Sequence, residues 1–334
     1  MIPNDAIGCG ARARALSGTR HRERYALFAS AVLAAGPTLG QDYPVRPVRI
    51  VTSPAGGGND LPSRLIARGI SGPLGQQVIV DNRPAILAPE IVARAAPDGY
   101  TVLVAGSTHW VGPFIEKVSY DPLKDFVPVA LVARAPVLLV VHPSMPIKSV
   151  KQLIDLAKAR PGVLNSSVGA PGSSNYLGAV LFDYLAHVNI TRIPYKGAAP
   201  AMTALMSGEV QVMFPSAGAA TPHVQSGRLR ALAVGSAKPS PLAPGLQTIA
   251  ALGVPGYDSD ALSAVFAPAG TPPAIVARLN QEITRYLQLA ETKPLFLKAG
   301  IEAASSAPEE LLAMIKAEMS TYGKVLKAAG VSPR

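Results

Sequence analysis

The chain is short of several things, and each shortage narrows its chemistry. Its 334 residues include one cysteine, Cys9, one tryptophan, 5% aromatics and 16% charged residues. Beyond Cys9 there is no thiol, so disulfide scaffolds and thiol catalysis are excluded from the rest of the chain. No H-E-x-x-H pair occurs, and His109, His142, His187 and His223 lie far apart; they are expected to be surface or core histidines, with no metal site and no cofactor. A G-x-S-x-G elbow and an S-x-x-K pair are also missing, so no catalytic residue is assigned. The net charge of +10 comes from scattered basic residues without aromatic platforms between them, which argues against nucleic acid as a partner.

No apolar run is long enough to span a bilayer. The nearest approach is N-terminal, where Arg12, Arg14, Arg20, Arg22 and Arg24 precede a short apolar stretch over 25–36 and small residues up to Gly40. This pattern is that of a secretory signal over 1–40, cleaved after Gly40, and it predicts a periplasmic protein. The five arginines stand against Asp5 and Glu23, so removing the leader takes +10 to +7 and removes Cys9.

What is present is an alternation. Short β-branched runs at 48–52, 78–80, 101–105, 137–141, 190–193, 210–214, 229–234 and 262–267 are separated by stretches long enough for helices, the pattern of an α/β fold with parallel strands. Ser149 with Gln152, and Ser306 with Glu309, have capping-box spacing, and Thr271 precedes two prolines suited to a first helical turn. Ile275, Leu279, Ile283 and Leu287 repeat every four residues as a core stripe.

Two loops carry the functional signal. The run 48–52 empties through Ser53-Pro-Ala-Gly-Gly-Gly-Asn-Asp60 into a helical pattern, which gathers backbone N–H groups at the positive end of a helix. Neither G-x-G-x-x-G nor G-x-x-x-x-G-K-[ST] is present, so a small carboxylate fits better than a nucleotide. Gly56 and Gly57 are expected to offer their N–H groups to that anion. The second loop, Asn165-Ser-Ser-Val-Gly-Ala-Pro-Gly-Ser-Ser-Asn175, leads into a helical pattern over 176–186, and the two loops would face each other across a cleft.

Several segments together resemble the Bug-type substrate-binding proteins of tripartite tricarboxylate transporters. They are Tyr43-Pro44, Pro54-Ala-Gly-Gly-Gly-x-Asp60, Val80-Asp-Asn-Arg-Pro84, Ala96-Pro-Asp-Gly-Tyr100, Tyr120-Asp-Pro-x-x-Asp-Phe126, Gly172-Ser-Ser174, Pro194-Tyr-Lys-Gly197, Gly227-Arg-Leu-Arg-Ala-Leu-Ala233 and Ala267-Pro-Ala-Gly-Thr-Pro272. The resemblance implies a two-lobed periplasmic-binding-protein fold of the type II, Venus-flytrap kind. Lobe 1 would comprise 41–142 plus 266–334 and lobe 2 would comprise 143–265, with the ligand cleft between them.

Carried over by position, Ser53, Ala55, Gly56, Gly57, Gly58 and Asp60 would line one wall, with Ser107 and Thr108 behind them. Ser166, Gly169, Ser173, Ser174 and Asn175 would form the other wall, and Tyr195, Lys196, Gly197 and Ser216 the floor. Asp60 could equally be a helix cap, Lys196 a solvated lysine and Tyr195 a core aromatic. Family members commonly have an aromatic at the position of Ser53, a histidine at Asn175 and a polar pair at Pro215-Ser216, and the loop after Pro84 is shortened here. The implied function is capture of a small carboxylate by a non-catalytic monomer, a di- or tricarboxylate or an aromatic one, for transporter subunits or a sensor kinase. The competing expectation is an exported hydrolase or lyase using Ser107, His109 or Asp60.

Overall fold

The computed structural model describes residues 43–333. The leader and cut site expected from the sequence, and Cys9, lie outside the described residues. The strands are β1 (Val48–Thr52), β2 (Val78–Asn82), β3 (Thr101–Ala105), β4 (Phe126–Pro136), β5 (Leu138–Val141), β6 (Asn165–Val168), β7 (Thr191–Pro194), β8 (Val212–Met213), β9 (Arg230–Val234), β10 (Asp260–Pro268) and β11 (Glu302–Ala303). The helices are α1 (Asp60–Leu74), α2 (Leu87–Ala93), α3 (Ser107–Val111), α4 (Val150–Ala159), α5 (Ser174–Ala186), α6 (Ala198–Met206), α7 (Ala217–Gln225), α8 (Pro273–Gln288), α9 (Thr292–Lys298) and α10 (Pro308–Ala328).

Two sheets result. The first has the order β11-β4-β10-β3-β1-β2, parallel from β3 through β1 to β2, with β10 antiparallel to both β3 and β4. The second has the order β7-β6-β8-β5-β9, parallel across β7, β6 and β8 and antiparallel at β5. The chain passes from one sheet to the other at Val137, between β4 and β5, and returns before β10. The sheets therefore exchange chain at 137 and before 260. The two crossings lie side by side: Val137 N–H donates to Ser259 O, and Gly235 N–H donates to Val137 O at 2.7 Å. A Cβ on Gly235 would meet Val137 Cγ2 at 2.5 Å, so the crossing needs glycine there for space.

The longest strand, β4, was not legible in the sequence, and neither was β6. Pro128, Pro136 and three interspersed alanines hide β4, yet pairing with β10 along its whole length makes it central. Asn165-Ser-Ser-Val168 has poor strand propensity and reads as loop, but parallel neighbours on both sides hold it extended. Helix starts behave similarly. Ser149 Oγ accepts from Gln152 N–H as expected, whereas Ser306 Oγ accepts from Leu131 N–H instead of capping α10. Glu310 caps in its place, accepting from Ala307 N–H at 2.9 Å. The α8 stripe is buried at Leu279, Ile283 and Leu287. One apolar core runs through both halves, from Val51 and Leu103 to Phe182, Phe214 and the α10 residues Leu311, Ile315 and Tyr322. Among the described residues no helix is long and apolar enough to cross a membrane.

Candidate functional site

Thr52 ends β1 with its hydroxyl donating to Val104 O at 2.9 Å, which ties β1 to β3 just before the glycine loop. The loop then closes on itself. Gly57 N–H donates to Pro54 O at 2.8 Å, and Asp60 N–H to Gly57 O at 3.0 Å. The Asp60 carboxylate accepts from Gly56 N–H at 2.9 Å and from Asn82 Nδ2 at 2.8 Å, and it pairs with Arg64 Nε at 2.9 Å. Burial pushes the Asp60 carboxyl up, but the Gly56, Asn82 and Arg64 contacts outweigh it and hold the group below its ordinary value. This corrects the expectation for the glycines: the Gly56 and Gly57 amides are engaged within the loop, and Asp60 occupies the position foreseen for an external anion. Gly56 itself adopts φ +77°, the left-handed region that glycine favours.

The donors of this loop left without a partner are different ones. No hydrogen bond reaches the Ala55 or Gly58 amide among the described residues, and both residues are exposed. Ser53 Oγ is buried without a partner. Behind the loop, Asn59 Oδ1 accepts from Ser263 Oγ at 2.7 Å, and Asn59 O accepts from Ser63 Oγ at 2.6 Å, which fixes the entry to α1.

Gly106 turns β3 into α3 against β10, where a Cβ would stand 2.4 Å from Leu262 O. The turn delivers Ser107, which is buried, and Thr108, which is exposed. His109, the next residue, is a core histidine, 2% exposed and enclosed by Trp110, Tyr120, Phe126 and Phe266. Neither ring nitrogen has a hydrogen-bond partner, and burial lowers its pKa to about 3.

On the second sheet, β6 ends at Val168 and the 169–173 loop folds around the Asn175 side chain. Asn175 Oδ1 accepts from Gly169 N–H at 3.2 Å and from Ser173 Oγ at 2.6 Å, while Nδ2 is buried without a partner. Ser173 precedes α5, and among the described residues no hydrogen bond reaches the amides of Ser174, Asn175 and Tyr176, its first turn. Ser166 lies inside β6 rather than in the loop; it is 1% exposed, with an unpartnered Oγ, on the same face as core residue Val168.

The foreseen floor is more dispersed. Tyr195 N–H donates to Val168 O, and its hydroxyl donates to Glu209 at 2.9 Å. Lys196 is exposed, and Gly197 turns into α6 at φ +113°. Ser216 precedes α7 and bridges to Val137 at the crossing between sheets. No hydrogen bond or ring contact joins these four to the 53–60 loop among the described residues. The two walls do meet elsewhere: a Cβ on Gly172 would stand 3.3 Å from Ile115 Cδ1 and 3.9 Å from Thr108 Cγ2. The second loop thus rests against the first-sheet segment that carries Ser107 and Thr108.

The sequence reading missed two participants. Asn82 sits within the quoted Val80–Pro84 motif, so a signal existed; Ser263 gave none. Among the described residues no three His, Cys, Asp or Glu side chains are grouped so as to hold a metal ion.

Comparison with known proteins agrees with this architecture. The protein-family model described as the tripartite tricarboxylate transporter family receptor matches residues 63–331. BugT of Bordetella pertussis is 33% identical over 311 residues, covering 91% of this chain and 95% of BugT. Among solved structures, Rpa4515 of R. palustris with adipate superimposes with a TM-score of 0.77 at 36% identity, covering 87% of this chain and all of that one. MatC of Rhodopseudomonas palustris with bound malate gives 0.73 at 32%, covering 85% of this chain and all of that one. A helix-entry loop closed by its own aspartate, a second loop packed against Thr108 and Ile115, and two sheets joined by adjacent crossings stand here on the two-lobed fold of periplasmic binding proteins, and the chain belongs to the tripartite tricarboxylate transporter receptors, the Bug family.

Proposed function

We propose that this chain is an exported, non-catalytic receptor that closes its lobes on a small carboxylate and passes it to membrane transporter subunits or a sensor. The lobes would be residues 41–142 with 266–334, and residues 143–265. The observation that carries the carboxylate is the set of hydrogen-bond donors left open in both loops. The second loop offers the buried, unpartnered Asn175 Nδ2 and the open amides of Ser174, Asn175 and Tyr176, and the first loop offers the Ala55 and Gly58 amides. Donors at a helix start, with the helix dipole behind them, suit an anion whose oxygens only accept. The relatives solved with adipate and malate support the same class. Against catalysis, His109 is enclosed without a partner and the Asp60 carboxylate is already bound by three groups, so neither is free to act as a base.

The experiment is a thermal-shift and calorimetric screen of the purified protein against aliphatic and aromatic carboxylates. A ligand present at 100 times its Kd raises stability by about 2.7 kcal/mol. A melting point that moves with another solute class and with no carboxylate would overturn the assignment.

A further inference from the structure

Strand β2 is the outer strand of the first sheet, paired with β1 on one side and with no strand on the other among the described residues. Gln77 O accepts from Val48 N–H, and Arg83 N–H donates to Thr52 O, so the odd-numbered residues over 77–83 turn their backbone groups toward β1. Val78 and Val80 therefore turn theirs outward. Ser71 Oγ accepts from Val78 N–H at 3.0 Å. Among the described residues no hydrogen bond reaches Val80 N–H or the Val78 and Val80 carbonyls. Beside this edge, α1 and β2 border an open groove of about 340 Å3 whose walls include Arg64, Arg68, Val78 and Val80 and no acidic side chain. Arg64 and Arg68 are one helical turn apart and both exposed. Arg64 pairs with Asp60 at 2.9 Å, whereas Arg68 has no hydrogen bond or ion pair among the described residues. On the opposite face of β2, Ile79 is 54% exposed.

We propose that the β2 edge is a docking site for an extended acidic segment of a partner protein, which adds a strand beside Val78–Val80 and sets its carboxylates against Arg64 and Arg68. The open Val80 N–H and the outward carbonyls supply the main-chain bonds of such a strand. Because side chains alternate along it, the acids fall on the α1 face and the residues between them fall beside Ile79, which calls for apolar partners. The two requirements together describe a strand that alternates acidic with apolar residues. Charge also selects against a second copy of this chain. Two β2 edges paired about a two-fold axis would set arginine against arginine, the usual protection of an exposed edge, whereas an acidic strand is drawn by the same charges. The groove does not include the loop donors read above as the carboxylate site, so the two readings stand or fall separately.

The test titrates the purified protein with two short fluorescent peptides, one alternating valine with glutamate and one alternating valine with lysine, and follows anisotropy. The glutamate peptide should bind, more weakly at about 0.5 M salt than at about 0.1 M, and the lysine peptide should not. Arg68→Glu, at an exposed helix position, should weaken the glutamate peptide about 10-fold or more. Val80→Pro should do the same, because an edge strand accepts proline where the lost N–H faces outward but can no longer donate to an added strand. Melting points near the wild-type value establish that both variants are folded. Hydrogen exchange gives a second readout: the Val80 amide should slow when the glutamate peptide is present. No binding of the glutamate peptide, equal binding of the lysine peptide, or wild-type affinity in both variants overturns the proposal. A dimer in sedimentation that Val80→Pro dissolves assigns the edge to a second copy and overturns it too. If Val80→Pro fails to fold, Arg68→Glu and the exchange of the Val80 amide decide.

Discussion

His109 shows how one buried side chain can set a pH limit. Its folded pKa of about 3 lies below the ordinary value of 6.5, so the folded protein holds only the neutral ring while the unfolded chain takes up a proton. The resulting penalty is absent above pH 6.5 and grows as pH falls toward 3, by about 1.4 kcal/mol per pH unit. His109→Leu, of similar volume, removes the titration. Urea unfolding at pH 6.5 and 4.5 should find the stability difference between variant and wild type moving about 2.3 kcal/mol in the variant's favour. Parallel pH profiles would mean that the ring is protonated inside the fold. Asp60 makes a second case at this scale. Because its carboxylate joins Gly56, Asn82 and Arg64, Asp60→Ala should cost about 2 to 3 kcal/mol, well above the roughly 1 kcal/mol of a simple helix cap. Chemical denaturation measures it, and a loss near 1 kcal/mol would reduce Asp60 to a cap.

Between elements, close packing of backbone decides what the chain tolerates. At the start of α7, a Cβ on Gly218 would stand 2.7 Å from Gly300 O, in the turn after α9, and Gly300 itself adopts φ +75°. Ser240 reinforces the same contact by hydrogen-bonding to Glu302 of β11. Gly218→Ala must therefore push α7 away from that turn, and about 1 to 3 kcal/mol of destabilisation is expected by thermal unfolding. An unchanged melting point would show that α7 can shift freely. Gly57 is constrained likewise: a Cβ there would meet Pro54 O at 2.8 Å and Ser53 Oγ at 2.9 Å. Gly57→Val should distort the loop through these atoms and weaken carboxylate binding by about 10-fold or more, because the open Ala55 and Gly58 amides move with it. Normal calorimetric affinity in a folded Gly57→Val would separate this loop from binding.

For the molecule as a whole, the contact of Gly172 with Thr108 and Ile115 is where the second loop reaches the first-sheet segment. Gly172 adopts φ +82°, so Gly172→Val both strains the turn and crowds Ile115 Cδ1 at 3.3 Å. If closure requires this approach, small-angle scattering should show a wild type that contracts with saturating ligand and a Gly172→Val protein that contracts less and binds more weakly. Equal contraction in both would move the closing contact elsewhere.

Local sequence determined the periodic features of this protein. The β-branched runs became β1, β3, β9 and β10, the four-residue apolar stripe became the buried face of α8, and Ser149 capped α4 as its spacing required. Each depends on side-chain period or on one nearby hydrogen bond, both of which are written in a few consecutive residues. The ordered motifs likewise sufficed for the family. Tertiary structure alone made strands of Phe126–Pro136 and Asn165–Val168, because their stability comes from neighbours far along the chain. It also took Asp60 into the glycine loop, sent Ser306 to Leu131 and brought Glu318 to the indole of Trp110. A hydrogen bond across 208 residues leaves no periodicity to read, and a carboxylate that can either bind a ligand or satisfy its own loop is assigned only once the surrounding donors are in place.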